Sequence, residues 1–140
     1  MNEDSKQKRG KILIVVVERD PHLRKLEQYF LEEAGYAVEF VDNGIAALAR
    51  ARELHPHLLI SEILVPQMDG LSVCRALKSD PSTRSIRVLI FSILSAEALA
   101  MEAGADAYLR KPLNDIRLVE SVEKLLGLRT DEEGGAHGTD

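Results

Sequence analysis

The run Lys11-Ile12-Leu13-Ile14-Val15-Val16-Val17, broken by Glu18-Arg19-Asp20-Pro21, decides the fold. Seven residues that are apolar after the first and rich in β-branched side chains suit a strand buried on both faces, the situation of a parallel sheet. Asp20-Pro21 then supplies a helix N-cap and an N1 proline. Leu23, Leu26 and Phe30 follow at helical spacing, and Gly35 stands where a helix C′ residue belongs. The same alternation continues along the chain. Residues 36–41 read as a second strand, and Asp42-Asn43-Gly44 turns into a helix with Ile45, Leu48 and Ala49 predicted inward, ending before Pro56. A third strand is predicted over 57–62. The loop Pro66-Gln67-Met68-Asp69-Gly70 opens a third helix lined by Leu71, Cys74 and Leu77, with Asp80-Pro81 beyond its end. Residues 86–92 form the fourth strand, 95–103 a short helix closed by Gly104, and 107–109 the fifth strand. A last helix from about Asn114 buries Leu118, Val119, Val122, Leu125 and Leu126. Strictly alternating strands and helices imply an α/β, doubly wound, parallel five-stranded sheet with right-handed crossovers.

Composition sets the outer limits. The chain has 140 residues, 45% apolar and 29% charged, which fits one packed domain. With 18 Lys+Arg against 23 Asp+Glu the formal charge is −5, so polyanionic partners, nucleic acid and membrane surfaces alike, are poor fits. A single Cys rules out an internal disulfide framework. The longest apolar run, Ile12 to Val17, falls far short of the roughly 20 residues of a membrane span, and no apolar h-region follows Met1, so a cytoplasmic location is expected. Residues 1–10 and 128–140 are polar or Gly- and acid-rich and are read as flexible arms around a domain at 11–127.

In sheets of this kind the working crevice lies at the carboxyl ends of the strands. Glu18-Arg19-Asp20 follows the first strand, Glu62 ends the third, Ser92 the fourth, and Lys111-Pro112 the fifth. Together with Leu58-Leu59-Ile60-Ser61-Glu62, the Pro66–Gly70 loop and Gly104-Ala105-Asp106-Ala107-Tyr108-Leu109-Arg110-Lys111-Pro112, this ordered set resembles the receiver domains of bacterial two-component response regulators over residues 11–127. The resemblance implies a flavodoxin-like sheet of order 2-1-3-4-5. It also implies two acids after the first strand that hold Mg²⁺, and an Asp after the third that accepts a phosphoryl group from a histidine kinase. A Ser or Thr and a Lys contact that group, and an aromatic on the fifth strand reorients.

Ser92, Tyr108, Lys111 and Pro112 match this pattern, but three features depart from it. Glu62 stands at the phosphoacceptor position, Glu18 and Arg19 stand at the acid pair, and the segment from Ser92 to Lys111 is short by about one helical turn of 3.6 residues, which clips the fourth helix. Asp20 is better placed as a helix cap than as a substitute acid. Two carboxylates and two cations leave the crevice neutral, where a Mg²⁺ site needs oxygen ligands in excess. Arg19 is expected to pair with Glu62 and to displace the metal. Phosphoryl transfer, which rests on positioning and electrostatics, then loses its main charge neutralisation. The expectation is a pseudo-receiver: a phosphorylation-independent signalling or scaffold module, without cofactor or enzymatic activity, that binds signalling proteins. Glu62 either mimics a phosphorylated Asp or is frozen by Arg19, and the frozen reading is preferred. The alternatives are a conventional receiver in which Glu62 accepts phosphoryl groups, and a flavodoxin-like small-ligand enzyme. The second lacks a Gly-rich phosphate cradle after the first strand.

The remaining candidates have plain readings. His22, His55, His57 and His137 lack metal-ligand spacing on one helix face. Cys74 lies on an inward stripe as an apolar filler. The Lys6-Gln7-Lys8-Arg9-Gly10-Lys11 cluster reads as a solvated arm, and Ser61 points away from Glu62's face. The surface of the fourth helix, fifth strand and fifth helix is the output face the resemblance implies, and the route to any homodimer. The last helix exposes Arg117, Glu120, Glu123 and Lys124 there.

Overall fold

A computed structural model describes residues 11–128. The arm at 1–10, with most of its basic cluster, and the tail at 129–140, with His137, lie outside the described residues. The elements run in the order β1 (Leu13–Val17), α1 (Pro21–Glu33), β2 (Ala37–Val41), α2 (Gly44–Leu54), β3 (Leu58–Ser61), α3 (Gly70–Ser79), β4 (Arg87–Ser92), α4 (Glu97–Glu102), β5 (Ala107–Arg110) and α5 (Asp115–Leu125). All strands are parallel in the order β2-β1-β3-β4-β5. This is the flavodoxin-like, doubly wound architecture, with an α4 of only 6 residues. Among the described residues no helix is long and apolar enough to cross a membrane.

Alternation along the strands divides the core in two. Val15, Val17, Leu59, Val88 and Ile90 face α2, α3 and α4, where Ala47, Val73, Cys74, Leu77 and Ala100 complete one cluster. Ile14, Val16, Leu58, Ile60, Leu89 and Phe91 face α1 and α5, joined by Leu31, Leu118 and Val122. The helices start where the sequence has cap residues. The side chains of Asp20, Asn43, Asp69 and Asn114 each accept backbone N–H groups of the first turn. Such caps are worth about 1 kcal/mol each. Asp20 is thereby a cap and not a member of the crevice.

The inward faces of the first two helices are not simply their bulkiest apolar residues; of Ile45, Leu48 and Ala49, expected inward in α2, only Leu48 packs against the core. In α1, Leu26 is 48% exposed, and the buried positions are Glu27 at 1% and Leu31 at 0%. In α2, Ile45 is 55% exposed, Ala49 is also exposed, and Gly44, Ala47 and Ala51 face inward. In α2 the cause is close approach. A Cβ at Gly44 would lie 1.7 Å from the Met68 carbonyl oxygen, so the start of α2 presses against the 66–68 loop and only small residues fit beneath it. Expectations weighted toward the bulkiest apolar residues therefore chose a neighbouring face.

Candidate functional site

The sheet register builds the crevice. Val17 pairs with Ser61, and Ser61 with Ile90, so Glu18, Glu62 and Ser92 emerge together at the carboxyl edge. Ser92 pairs with Arg110, which delivers Lys111 to the same place; its N–H donates to the Ser92 carbonyl at 2.8 Å. Glu18, Glu62 and Ser92 are all buried, with exposures of 2%, 5% and 0%.

Lys111 Nζ lies 2.9 Å from Glu18 Oε1 and 2.9 Å from Glu62 Oε1, bridging the two carboxylates. The Glu62 carboxylate has donors on both oxygens. Oε2 accepts the N–H groups of Ile63 at 2.6 Å and Leu64 at 3.2 Å, and the Ser92 hydroxyl. Oε1 accepts the Ile93 N–H at 3.1 Å as well as the ammonium. Burial pushes the Glu62 carboxyl up, but Ser92, Lys111 and the Leu64 N–H outweigh it and hold it below the ordinary carboxylate value. Burial likewise favours a neutral Lys111, and the two carboxylates overcome this to raise its pKa. Glu62 is thus an anion fixed by charge-assisted hydrogen bonds.

The network continues outward. The Leu94 N–H donates to Ser92 Oγ at 3.1 Å; Tyr108 donates its hydroxyl to the Leu94 carbonyl and accepts the Ala96 N–H at 3.2 Å. Tyr108 packs, half-buried, against the core under α4. Glu62, Ser92, the 93–96 loop and Tyr108 therefore form one connected chain. Pro112 is exposed and follows a cis peptide bond with Lys111.

Arg19 is the exception among the residues singled out. It is exposed, and no ion pair joins it to Glu62. The expected Arg19–Glu62 pair is not formed, because Lys111 holds the carboxylate and Arg19 lies in the turn capped by Asp20. Glu18 and Glu62 facing Lys111 alone leave the crevice with one uncompensated negative charge, not neutral.

Sequence reasoning missed Glu27. It projects from α1 into the core with both carboxylate oxygens buried and without hydrogen-bond partners. Burial first, and then repulsion from Glu18, raise its pKa to about 8, against a smaller opposing pull from Lys111. Its position four residues from both Leu23 and Leu31 was the available signal.

The donor set bears on metal binding. Mg²⁺ demands near-octahedral oxygen ligands at about 2.0–2.1 Å. Both Glu62 oxygens accept donors, Glu18 Oε1 accepts Lys111, and Glu18 Oε2 accepts the Asp20 N–H at 3.2 Å. Among the described residues no group of three or more His, Cys, Asp or Glu is placed to hold a metal ion. In this arrangement both Glu62 oxygens and both Glu18 oxygens are engaged by protein donors, so an ion would have to displace Lys111 or backbone N–H groups to reach them.

A parallel 2-1-3-4-5 sheet carrying an acid, a hydroxyl and a lysine at its carboxyl edge defines a class of signalling domain. Residues 14–123 match the response regulator receiver domain family, and the chain belongs to that family. It is 35% identical over 121 residues to the DNA-binding dual master transcriptional regulator RpaA of Synechocystis sp., covering 84% of this chain and 50% of that protein. It is 32% identical over 117 residues to the polar-differentiation response regulator DivK of Brucella ovis, covering 81% of this chain and 95% of that protein. Among solved structures, the receiver domain of a signal transduction histidine kinase from Syntrophus aciditrophicus superposes with a TM-score of 0.77 at 38% identity, over 82% of this chain and 89% of that one. The chain spans about half the length of RpaA, and nearly all of DivK. Receiver domains are modules of two-component signalling that act with signalling proteins such as histidine kinases.

Proposed function

We propose that this receiver domain signals without being phosphorylated, and that the Glu62 carboxylate itself takes the place of the phosphoryl group. One observation carries the reading. The Ser92 hydroxyl and Lys111 ammonium, the groups the family resemblance assigns to the phosphoryl group, both engage Glu62, together with the N–H groups of Ile63, Leu64 and Ile93. The extra methylene of Glu relative to Asp brings the anion out to those donors. A nucleophilic oxygen would have to abandon at least two of them, and Mg²⁺ would have to displace Lys111 from two carboxylates. On this reading the metal site is lost, and the domain is held in the state that phosphorylation produces elsewhere in the family.

The free position of Arg19 favours this account over a crevice frozen by an Arg19–Glu62 pair. The Glu62–Ser92–Tyr108 connection favours it too, because it links the anion to the surface around α4. There Ile93, Leu94 and Leu99 are exposed at 59%, 37% and 50%, an apolar patch suited to a signalling protein or a second copy. The module is a binder and not an enzyme, and works in the cytoplasm.

The test is incubation of the chain with Mg²⁺ and acetyl phosphate or phosphoramidate, read by intact mass. The expected spectrum shows no adduct, whereas Arg19→Asp/Glu62→Asp restores phosphorylation. Stoichiometric acyl-phosphate on the unaltered chain would establish the conventional receiver and overturn the proposal.

A further inference from the structure

At the opposite edge of the sheet from Glu62, a cleft of about 510 Å³ opens where β3 and β4 begin and α5 ends. Its polar lining consists of His55, His57, Ser85, Arg87 and Lys124, with no carboxylate among the lining residues. That is unusual in a chain of net charge −5. The strand starts hold the groups together, since the Arg87 N–H donates to the His57 carbonyl at 3.2 Å.

The groups of this lining are committed to different degrees. Lys124 has no ion pair or side-chain hydrogen bond among the described residues. Arg87 forms an exposed ion pair with Asp106 Oδ1 at 3.6 Å, while the other Asp106 oxygen is held by Lys78 at 2.9 Å and by the Val88 N–H at 2.8 Å. His57 Nδ1 accepts the Leu13 N–H at 3.2 Å, which fixes Nε2 as the ring's donor. Arg87 and Lys124 also border an adjoining cleft of about 470 Å³, whose lining includes Asp106 and Ser121, so the carboxylate lies on the far side of the cationic pair from the imidazoles. Pro56, Leu125 and Leu126 add an apolar wall to the first cleft. A volume of this size falls in the range of small-molecule sites, about 300–1,000 Å³.

We propose that this cleft is a second binding site, for a nucleoside polyphosphate. The phosphates lie between Arg87 and Lys124, where a guanidinium fork and an ammonium match their charge. The base rests against the Pro56–Leu125 wall with the imidazoles beside it. The site is separate from the Glu62 crevice, which lies at the other ends of the same strands, and it stands whether or not Glu62 accepts a phosphoryl group.

The test is a ¹⁵N–¹H NMR titration of the full chain with ATP and GTP in EDTA, with inorganic triphosphate and adenosine run separately. Saturable shifts are expected at His55, His57, Arg87 and Lys124, with a dissociation constant of about 1 mM or lower. Arg87→Ala/Lys124→Ala should weaken binding by about tenfold or more, and triphosphate alone should bind about tenfold less tightly than the nucleotide. Because Arg87 also touches Asp106, Lys124→Ser is measured by itself and must still weaken binding. Any of four results overturns the proposal: no saturation, shifts centred on Glu62 and Ser92, unchanged affinity in the variants, or a nucleotide that binds no better than triphosphate.

Discussion

Glu27 makes the stability of this domain fall as pH rises, over a range where most proteins are near their maximum. The native chain holds the Glu27 proton until about pH 8, whereas the group's ordinary value is 4.5. Between those values the unfolded state binds fewer protons than the native one, so stability decreases with pH. The contribution is complete below pH 4.5 and is lost as pH climbs toward 8. At 1.36 kcal/mol per unit, and allowing for the flattening near each value, the loss amounts to roughly 3.5 kcal/mol between pH 5 and pH 8. That is a large part of the 5–15 kcal/mol typical of a whole domain. The informative perturbation is Glu27→Gln, which keeps the shape and removes the titration. The buried amide of the variant still lacks partners, at a cost of about 1–3 kcal/mol, but that cost does not depend on pH. Urea denaturation of both proteins, followed by circular dichroism at pH 5, 6, 7 and 8, isolates the effect as a difference in slope. The wild type should lose roughly 3.5 kcal/mol relative to Glu27→Gln across this range. Parallel profiles would refute the reasoning and mean that Glu27 is ionised and solvated in the native protein.

Three further outcomes are expected. Lys111→Met leaves Glu18 and Glu62 buried without their cation and should cost about 3–5 kcal/mol at pH 7, with a smaller loss at pH 4; equal losses at both, measured by denaturation, would contradict the ion-pair account. Gly70→Ala would place a Cβ 2.3 Å from the Glu62 carbonyl oxygen, so the thermal midpoint should drop by an amount equivalent to about 1–3 kcal/mol. Arg19→Ala should change stability by no more than about 0.5 kcal/mol and leave the Tyr108 ring resonances unmoved; a displaced Tyr108 would show that Arg19 does set the state of the site.

The architecture was legible because each signal is local. A β-branched run such as Ile12 to Val17 has one comfortable environment, and Asp20, Asn43, Asp69 and Asn114 cap helices through side chains that reach only two or three residues ahead. The order of Glu18, Glu62, Ser92 and Lys111 likewise sufficed to bring them together, since parallel strands in register deliver their ends to one edge. What failed depended on direction. Arg19 follows Glu18 in the chain, and a charge sum over neighbours counted both, yet one side chain is buried against Lys111 and the other lies in solvent. Glu27 was hidden for the converse reason: a carboxylate in an amphipathic pattern marks the wet face, and only the packing of Leu31 beside it shows that this face is the core. His57, Arg87 and Lys124 stand on three elements far apart in sequence, so their shared cleft existed in no window of the chain. These cases also share a functional consequence. Once Lys111 and not Arg19 is the partner of Glu62, the carboxylate is bound by the same hydroxyl and ammonium that the family resemblance assigns to the phosphoryl group, and on the proposed reading a Glu at this position acts as a built-in signal and not as a simple loss of chemistry.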